Sequence, residues 1–207
     1  MLTLITGFSG SGKTTLPKLF NGQLYWNYLI FSDPKRNLKL NMHPVTPLSI
    51  AKEIRREVMQ DISFEKDLEN NERYEYLKDT VVLGTNMTYR DILEMHAEMK
   101  IQVDPYHFIR NVFENQKNYP FSNIMITDWR YPKEYDFCQR GLRLEPRTIR
   151  IFRRNTKLSP HKSEKALDNY LTDFLLIPMK GFKQEFKEAV KMFPQYADYR
   201  VTKTTFD

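Results

Sequence analysis

The chain has 207 residues, a formal net charge of +6 and a hydrophobic share of 41%. This composition is that of a folded globular protein of about one domain, so it excludes intrinsically disordered and fibrous proteins. No apolar run approaches the roughly 18 residues that span a bilayer. The lone Cys138 excludes both an internal disulfide and a multi-cysteine zinc site. We therefore expect a cytoplasmic protein that does not enter a membrane.

Charge is distributed unevenly along the chain. From residue 61 to residue 79, seven acidic residues face three basic ones, so the rest of the chain carries a net charge of +10. From residue 147 to residue 165, seven basic residues face a single acid, Glu164. Such a basic segment is typical either of a solvated surface loop or of a site that contacts a polyanion.

The first element in chain order is a strand that leads into a glycine-rich turn. Residues 2–6 form an apolar run typical of a buried strand, and the turn at 7–12 follows directly. Apolar residues at helical spacing come next and predict a helix that ends near Asn21 and Gly22. Pro17 falls inside this helix and removes a backbone hydrogen bond, so we expect the helix to be short or kinked.

Four further apolar runs predict strands, and their spacing along the chain implies helical crossovers between parallel strands. Together with the first strand they predict an α/β fold with a central parallel sheet of five strands. The four runs lie at residues 28–31, 124–127, 148–152 and 174–177.

Two amphipathic helices are predicted from apolar residues that recur on one face at helical period. The first contains His96, which we interpret as a hydrogen-bonded core histidine rather than a catalyst. A charged and mostly helical stretch at 38–117 is interpreted as an excursion from the sheet. The two faces consist of Tyr89, Ile92, Leu93, His96 and Met99, and of Phe182, Phe186, Ala189, Val190 and Phe193.

The strongest motif is the glycine-rich turn, which fits G-x-x-x-x-G-K-[ST] from Gly7 to Thr14 after a strand and before a helix, as a P-loop requires. Glycines allow consecutive backbone N–H groups to point inward and cradle phosphate oxygens. We expect the Lys13 ammonium to bridge the β- and γ-phosphates of ATP and the Thr14 hydroxyl to bind Mg²⁺. The predicted ATP-binding residues are Gly7, Ser9, Gly10, Ser11, Gly12, Lys13, Thr14 and Thr15.

A second metal ligand is expected at the end of a neighbouring strand. Asp128 follows the predicted strand at 124–127, at the carboxyl end where open α/β sheets bind their ligands. This placement predicts a carboxylate on the Mg²⁺ beside Thr14, although an aspartate that ends a strand is also common as a turn or helix cap.

Four short segments follow the loop in a fixed order. They are F-S-D-P-K at 31–35, Y-R-D-I-L at 89–93 with Glu98, Asp104 and Pro105, I-T-D-W-R-Y-P-K-E at 126–134, and H-K-S-E at 161–164 with Leu167 and Asp173. Together with the loop they resemble the viral and phage deoxynucleoside monophosphate (dNMP) kinase family. Its corresponding runs are F-A-D-P-[LK]-K, R-x-[IL]-L-Q-x-x-G-T-E with a later D-P, I-T-D-V-R-F-P-N-E and H-x-S-E. The chain departs from the family at His96 and Ala97, where the family has Gly-Thr, and at Ile101, where the family's arginine is missing.

The resemblance implies transfer of the ATP γ-phosphoryl group to the 5′-phosphate of a dNMP, with ATP and Mg²⁺ required. It also implies a single three-layer P-loop kinase domain over the whole chain, 1–207. Its parts are a core at about 1–38 and 119–207, a helical acceptor-binding insertion at about 39–118, and a basic lid at about 153–168. The preferred base is not predicted.

Arginines are expected to hold the phosphates, because guanidinium offers a bidentate fork. Arg130 and Arg90 are the candidates for the acceptor phosphate. The cations expected to close over ATP are Arg150, Arg153, Arg154 and Lys157, followed by His161, Ser163 and Glu164 as ligand contacts or as a capped helix start. The predicted catalytic residues are Lys13, Arg130, Arg153 and Arg154, and the predicted substrate-binding residues are Asp33, Lys35, Arg90, Asp128, Trp129, Arg130 and Glu134.

Two other functions fit parts of the sequence. A small-molecule kinase of the phosphomevalonate type shares the expected fold and differs in its acceptor. A basic nucleic-acid-binding NTPase fits the +10 charge outside the acidic segment and predicts salt-dependent DNA binding. The basic patch is compact and follows a strand, which favours a lid, so we expect no stable nucleic-acid complex. Whether the chain forms a homodimer stays open.

Overall fold

A computed structural model of the chain describes residues 1–61, 71–115, 123–154, 156 and 165–202. The chain divides into two compact units, the first formed by Met1–Leu48 with Pro120–Asp207 and the second by Ser49–Tyr119. The sequence predicted a helical insertion from about residue 39, whereas residues 39–48 belong to the first unit. None of the helices in the described ranges combines the length and apolar character that a bilayer crossing requires.

The first unit contains seven strands within the described residues, and the helices are shared between the two units. In chain order the strands are β1 (Leu2–Thr6), β2 (Tyr28–Ser32), β3 (Thr46–Leu48), β4 (Ile124–Ile126), β5 (Arg147–Ile151), β6 (Phe174–Pro178) and β7 (Arg200–Val201). The helices are α1 (Leu16–Phe20), α2 (Ile50–Asp61), α3 (Asn71–Leu77), α4 (Tyr89–Val103), α5 (His107–Glu114), α6 (Pro132–Asp136) and α7 (Phe182–Met192).

The seven strands form one mixed sheet in the order β3-β4-β1-β5-β6-β2-β7. The strands β3, β4, β1, β5 and β6 run parallel to one another. Strand β2 runs antiparallel to both of its neighbours, β6 and β7. The carboxyl ends of the five parallel strands therefore share one edge of the sheet with the amino end of β2.

The structure has the predicted α/β class, and each of the five predicted strands forms within one residue of its expected ends. The prediction of a parallel, five-stranded sheet was wrong. Strands β3 and β7 contain only three and two residues, too few to show a periodic pattern. Strand β2 is antiparallel to β6, with Tyr28 opposite Pro178 and Ser32 opposite Phe174. The sequence could not predict this direction, because the pattern of an apolar run is the same for parallel and antiparallel strands.

Alternate residues of the central strands face two separate clusters of the core, as the two-residue period of a strand requires. On β6, Phe174 and Leu176 pack in the cluster that contains Leu16 of α1. Leu175 and Ile177 pack in the cluster that contains Ala189 of α7. Helices therefore cover both faces of the sheet, which explains why these strands read as continuous apolar runs.

Helix α1 is short, as predicted, but Pro17 does not interrupt it. Pro17 lies in the first turn, where its missing N–H would have no partner within the helix. The helix ends at Phe20, and Gly22 follows with a φ of +68°. Asn21 Nδ2 donates to the Val45 carbonyl at 3.1 Å, and Val45 N–H donates to Asn21 Oδ1 at 2.7 Å. These two bonds tie the end of α1 to the segment that leads into β3.

The second unit contains α2 to α5 around a small core of Val58, Ile92 and Leu93. The predicted apolar face of α4 holds at its centre and was wrong at Met99, which is 61% exposed. The Glu57 carboxylate joins α2 to α5, since His107 Nε2 lies 2.9 Å from both of its oxygens. His96 of α4 lies 3.5 Å from the same carboxylate, which agrees with a packed, hydrogen-bonded histidine.

Candidate functional site

The glycine-rich loop, residues 7–14, leaves the carboxyl end of β1 at the centre of the sheet. Gly7 and Gly12 have φ values of +149° and +103°, which L side chains rarely adopt. A Cβ on Gly7 would lie 2.5 Å from the Ile151 carbonyl oxygen, and a Cβ on Gly12 would lie 2.7 Å from Tyr28 Oη. The conformation of this loop therefore depends on glycine at both positions.

The loop presents backbone donors that have no acceptor in the part of the chain that the structure describes. Within the described residues, the N–H groups of Gly10, Gly12 and Thr14 make no hydrogen bond. The Ser11 N–H donates to the Phe8 carbonyl at 3.1 Å, which closes a turn inside the loop. Ser11 Oγ is fully buried and has no hydrogen-bond partner among the residues described. Three N–H groups without acceptors within five residues, in a loop that curls on itself, suit an anion that accepts several hydrogen bonds.

Lys13 places a positive charge on the same loop. Its Nζ donates to the Gly7 carbonyl at 2.6 Å and to the Phe8 carbonyl at 2.8 Å. The side chain is therefore folded back over the loop instead of extending into solvent. An ammonium group next to free backbone donors makes the loop strongly favourable for phosphate.

The segment after β4 brings Asp128, Arg130 and Glu134 close together. The Trp129 N–H donates to the Ile5 carbonyl of β1 at 3.0 Å, which holds this segment against the sheet. Glu134 Oε2 accepts from the N–H groups of Arg130 at 2.9 Å and Tyr131 at 3.1 Å.

The electrostatics of Glu134 show that the three charged side chains interact. Burial and, to a smaller extent, the charge of Asp128 raise the pKa of Glu134, whereas the two backbone hydrogen bonds and the charge of Arg130 lower it, and the net result is a pKa of about 7. The Glu134 carboxylate is 7% exposed and is used by the backbone of this segment. It therefore fixes the backbone of Arg130.

Trp129, predicted to contact substrate, is instead a core residue. Its side chain is 1% exposed, and Nε1 donates to the Tyr131 carbonyl at 2.7 Å. Its ring meets the ring of Tyr170 edge-on with centroids 4.8 Å apart. The side chain has no free face on which a base could stack.

Arg150, grouped in the sequence with the lid cations, is also a core residue. It is 3% exposed, donates to the Leu167 carbonyl, and lies with its guanidinium carbon 4.3 Å from the centre of the Phe193 ring. Arg150 lies in β5, the central strand of the sheet, and helices cover both faces of that sheet, so a side chain on either face of β5 is buried.

Arg153 and Arg154 are exposed at the carboxyl end of β5. Burial raises the pKa of the Tyr28 phenol and the positive charge of Arg153 opposes this rise, so the Arg153 guanidinium lies near Tyr28 and the loop. The Arg154 N–H donates to Glu185 Oε2 of α7 at 2.5 Å. The remaining predicted lid residues, Lys157, His161, Ser163 and Glu164, lie outside the described residues.

Asp33 and Lys35, predicted to bind substrate, do not lie at the end of the parallel strands that carries the loop. They follow Ser32, which pairs with Phe174 at the amino end of β6. Asp33 Oδ1 accepts from the Lys35 N–H at 2.9 Å, which closes a local turn. The antiparallel direction of β2 places its first residue, Tyr28, at the loop instead.

Arg90 belongs to the second unit, where its guanidinium lies 3.3 Å from Asp79. No group of three or more His, Cys, Asp or Glu side chains within the described ranges is arranged to hold a metal ion. Thr14 and Asp128 remain the two predicted oxygen ligands. Two protein oxygens suit Mg²⁺, which completes its coordination shell with phosphate oxygens and water.

No family model matches the chain, and no curated protein matches it significantly.

Proposed function

We propose that the chain is a P-loop kinase that transfers the γ-phosphoryl group of ATP to a deoxynucleoside monophosphate. The observation that carries the proposal is the glycine-rich loop, where the N–H groups of Gly10, Gly12 and Thr14 lack partners among the described residues and Lys13 adds its ammonium group. Polyphosphate is the common ligand that needs several donors and a cation at one point. The acceptor class comes from the ordered sequence segments that resemble the dNMP kinase family.

Catalysis of phosphoryl transfer requires chiefly that the protein position two anions, ATP and the acceptor monophosphate, and neutralise their charge. The loop N–H groups bind the β- and γ-phosphates, and Lys13 exchanges its two carbonyl partners for phosphate oxygens. Arg153 and Arg154, exposed beyond β5, stabilise the charge on the transferring group. Because the acceptor phosphate is already ionised at neutral pH, no general base is needed.

Mg²⁺ fits the residues on offer, since a hydroxyl and a carboxylate are hard oxygen donors. Thr14 and Asp128 are the residues that would hold it. When bound, the ion supplies positive charge to the β- and γ-phosphate oxygens and orients them. On the acceptor side, Arg130 binds the monophosphate while Glu134 holds its backbone in place.

The test is release of ADP by the full chain with ATP, Mg²⁺ and each of dTMP, dGMP, dCMP and dAMP. We expect at least one monophosphate to stimulate ADP release. Lys13→Met is expected to reduce the stimulated rate at least about 100-fold, by removing a cation from the transferring group. Lys18→Met is the matched control, because Lys18 is an exposed lysine on α1, and it is expected to behave like the wild type.

The same assay separates the alternatives. Stimulation by phosphomevalonate and by no monophosphate would assign the small-molecule kinase. Stimulation by DNA that fades with added salt would assign the nucleic-acid-binding NTPase. No ADP release under any of these conditions would contradict the proposal.

A further inference from the structure

Tyr28 lies against the glycine-rich loop and was not identified as a site residue from the sequence. It is the first residue of β2 and lies opposite Pro178, at the carboxyl end of β6. Its side chain is 7% exposed and packs in the cluster that contains Ile5 and Leu16. No residue in the described ranges makes a hydrogen bond to its hydroxyl.

The Tyr28 hydroxyl meets the loop at Gly12. A Cβ added to Gly12 would lie 2.7 Å from Oη, so the hydroxyl is the part of the ring that touches the loop. The Arg153 charge acts on the same phenol. Tyr28 Oη is not among the fully buried polar atoms that lack a partner in the described part of the chain, so the hydroxyl is open to a ligand at the loop. Among the described residues, the Tyr28 hydroxyl is therefore a donor without an acceptor beside the N–H group of Gly12, which also lacks one.

We infer that the Tyr28 hydroxyl donates a hydrogen bond to the phosphate chain that the loop binds. This inference rests on the proposed function and adds a nucleotide-binding residue to it. Phosphate oxygens carry negative charge and accept hydrogen bonds, so the phenol O–H matches them as the loop N–H groups do. The packed ring holds the hydroxyl in place before the ligand arrives, which lowers the entropy lost on binding.

The test uses inorganic tripolyphosphate, which carries the phosphate chain without sugar or base. Tyr28→Phe removes only the hydroxyl oxygen. In calorimetric titrations of the full chain we expect this variant to bind tripolyphosphate about 10-fold more weakly, the loss of one charge-assisted hydrogen bond. We also expect its ligand-free Tm to be unchanged, because no residue in the described ranges makes a hydrogen bond to the hydroxyl that is removed. Tyr25→Phe is the matched control, since Tyr25 lies on the same segment and is 98% exposed.

Each outcome decides a different point. Equal affinity of wild type and Tyr28→Phe for tripolyphosphate overturns the inference and leaves the proposed function intact. A loss seen with ATP and absent with tripolyphosphate places the hydroxyl against the nucleoside and also overturns it. Failure of the wild type to bind tripolyphosphate at all overturns the proposed function, and this inference with it.

Discussion

Glu134 Oε2 accepts a hydrogen bond of 2.9 Å from the backbone N–H of Arg130. The same oxygen accepts from Tyr131 N–H at 3.1 Å, so one buried carboxylate organises the turn between β4 and α6. Glu134 thus fixes the backbone from which the Arg130 side chain extends. The arrangement links the stability of this turn to the protonation of Glu134.

Glu134→Gln is expected to flatten the dependence of stability on pH. Burial raises the pKa of Glu134 from its ordinary 4.5 to about 7. Between these values the folded chain holds a proton that the unfolded chain has released, so wild-type stability falls as pH rises and levels off above about pH 7. The full change is of the order of a few kcal/mol. Urea denaturation at a series of pH values measures it, with Glu98→Gln, on an exposed site of α4, as control. An unchanged slope in Glu134→Gln would contradict this account.

Gly12→Ala is expected to destabilise the chain more than Gly10→Ala. Both glycines have positive φ values, +103° and +76°, so both variants bear a backbone cost of roughly 1–3 kcal/mol. Only at Gly12 does the added Cβ collide, since Tyr28 Oη would lie 2.7 Å away and nothing lies within 4 Å at Gly10. In a Tyr28→Phe background the nearest ring carbon would lie at 3.9 Å, an ordinary contact. Thermal unfolding of Gly10→Ala, Gly12→Ala, Tyr28→Phe and the double variant Gly12→Ala/Tyr28→Phe should therefore show that Tyr28→Phe relieves the extra loss of stability in Gly12→Ala. Strictly additive losses in the double variant would refute this explanation.

Substitution of Arg150 is expected to reduce stability, whereas substitution of Arg153 is expected to reduce activity. Arg150→Met removes the hydrogen bond to the Leu167 carbonyl and the contact with the Phe193 ring, so we expect a loss of about 2–4 kcal/mol in urea denaturation. Arg153→Ala alters an exposed side chain and is expected to leave stability unchanged. The same variant should reduce ADP release at least about 100-fold. A stable but inactive Arg150→Met would reverse these assignments.

Asp33→Asn and Lys35→Ala are expected to leave both kcat and KM of the kinase reaction unchanged. The two residues follow Ser32, which lies at the amino end of β6, whereas the loop lies at the carboxyl ends of the parallel strands. Steady-state ADP release measures both constants. An increased KM for the monophosphate in either variant would show that this turn reaches the acceptor after all.

Glu57→Ala is expected to destabilise the second unit. Burial alone would raise the pKa of Glu57, but hydrogen bonds from His107, Asn111 and His96 lower it below its ordinary value. The stability that ionised Glu57 contributes is therefore present above about pH 4.5, the pKa of an unfolded glutamate, and is lost as pH falls through the lowered pKa of the folded state. We expect a loss of about 2–3 kcal/mol at pH 7 for a charged acceptor of several hydrogen bonds. Chemical denaturation should show the wild type and the variant converging in acid; a constant gap between them would argue for a packing effect.

Local features of this molecule followed from the sequence to within a residue or so. Three features depend mainly on residues that are neighbours in the sequence: the turn at 7–14, the short helix that ends at Phe20, and the five apolar strands. The two short strands, Thr46–Leu48 and Arg200–Val201, could not be predicted from the sequence. They form by pairing with neighbouring strands and have little sequence pattern of their own. Trp129 and Arg150 were misplaced because an aromatic or charged side chain is compatible with either surface or core.

The sequence by itself determined the glycine-rich loop with Lys13 and Thr14, since glycine conformations and adjacent donors are properties of consecutive residues. Only the tertiary structure decided which end of β2 meets that loop, and therefore that Tyr28 lies at the loop and Asp33 does not. The physical reason is that strand direction is set by hydrogen bonds to distant strands. A run of apolar residues buries equally well in either direction.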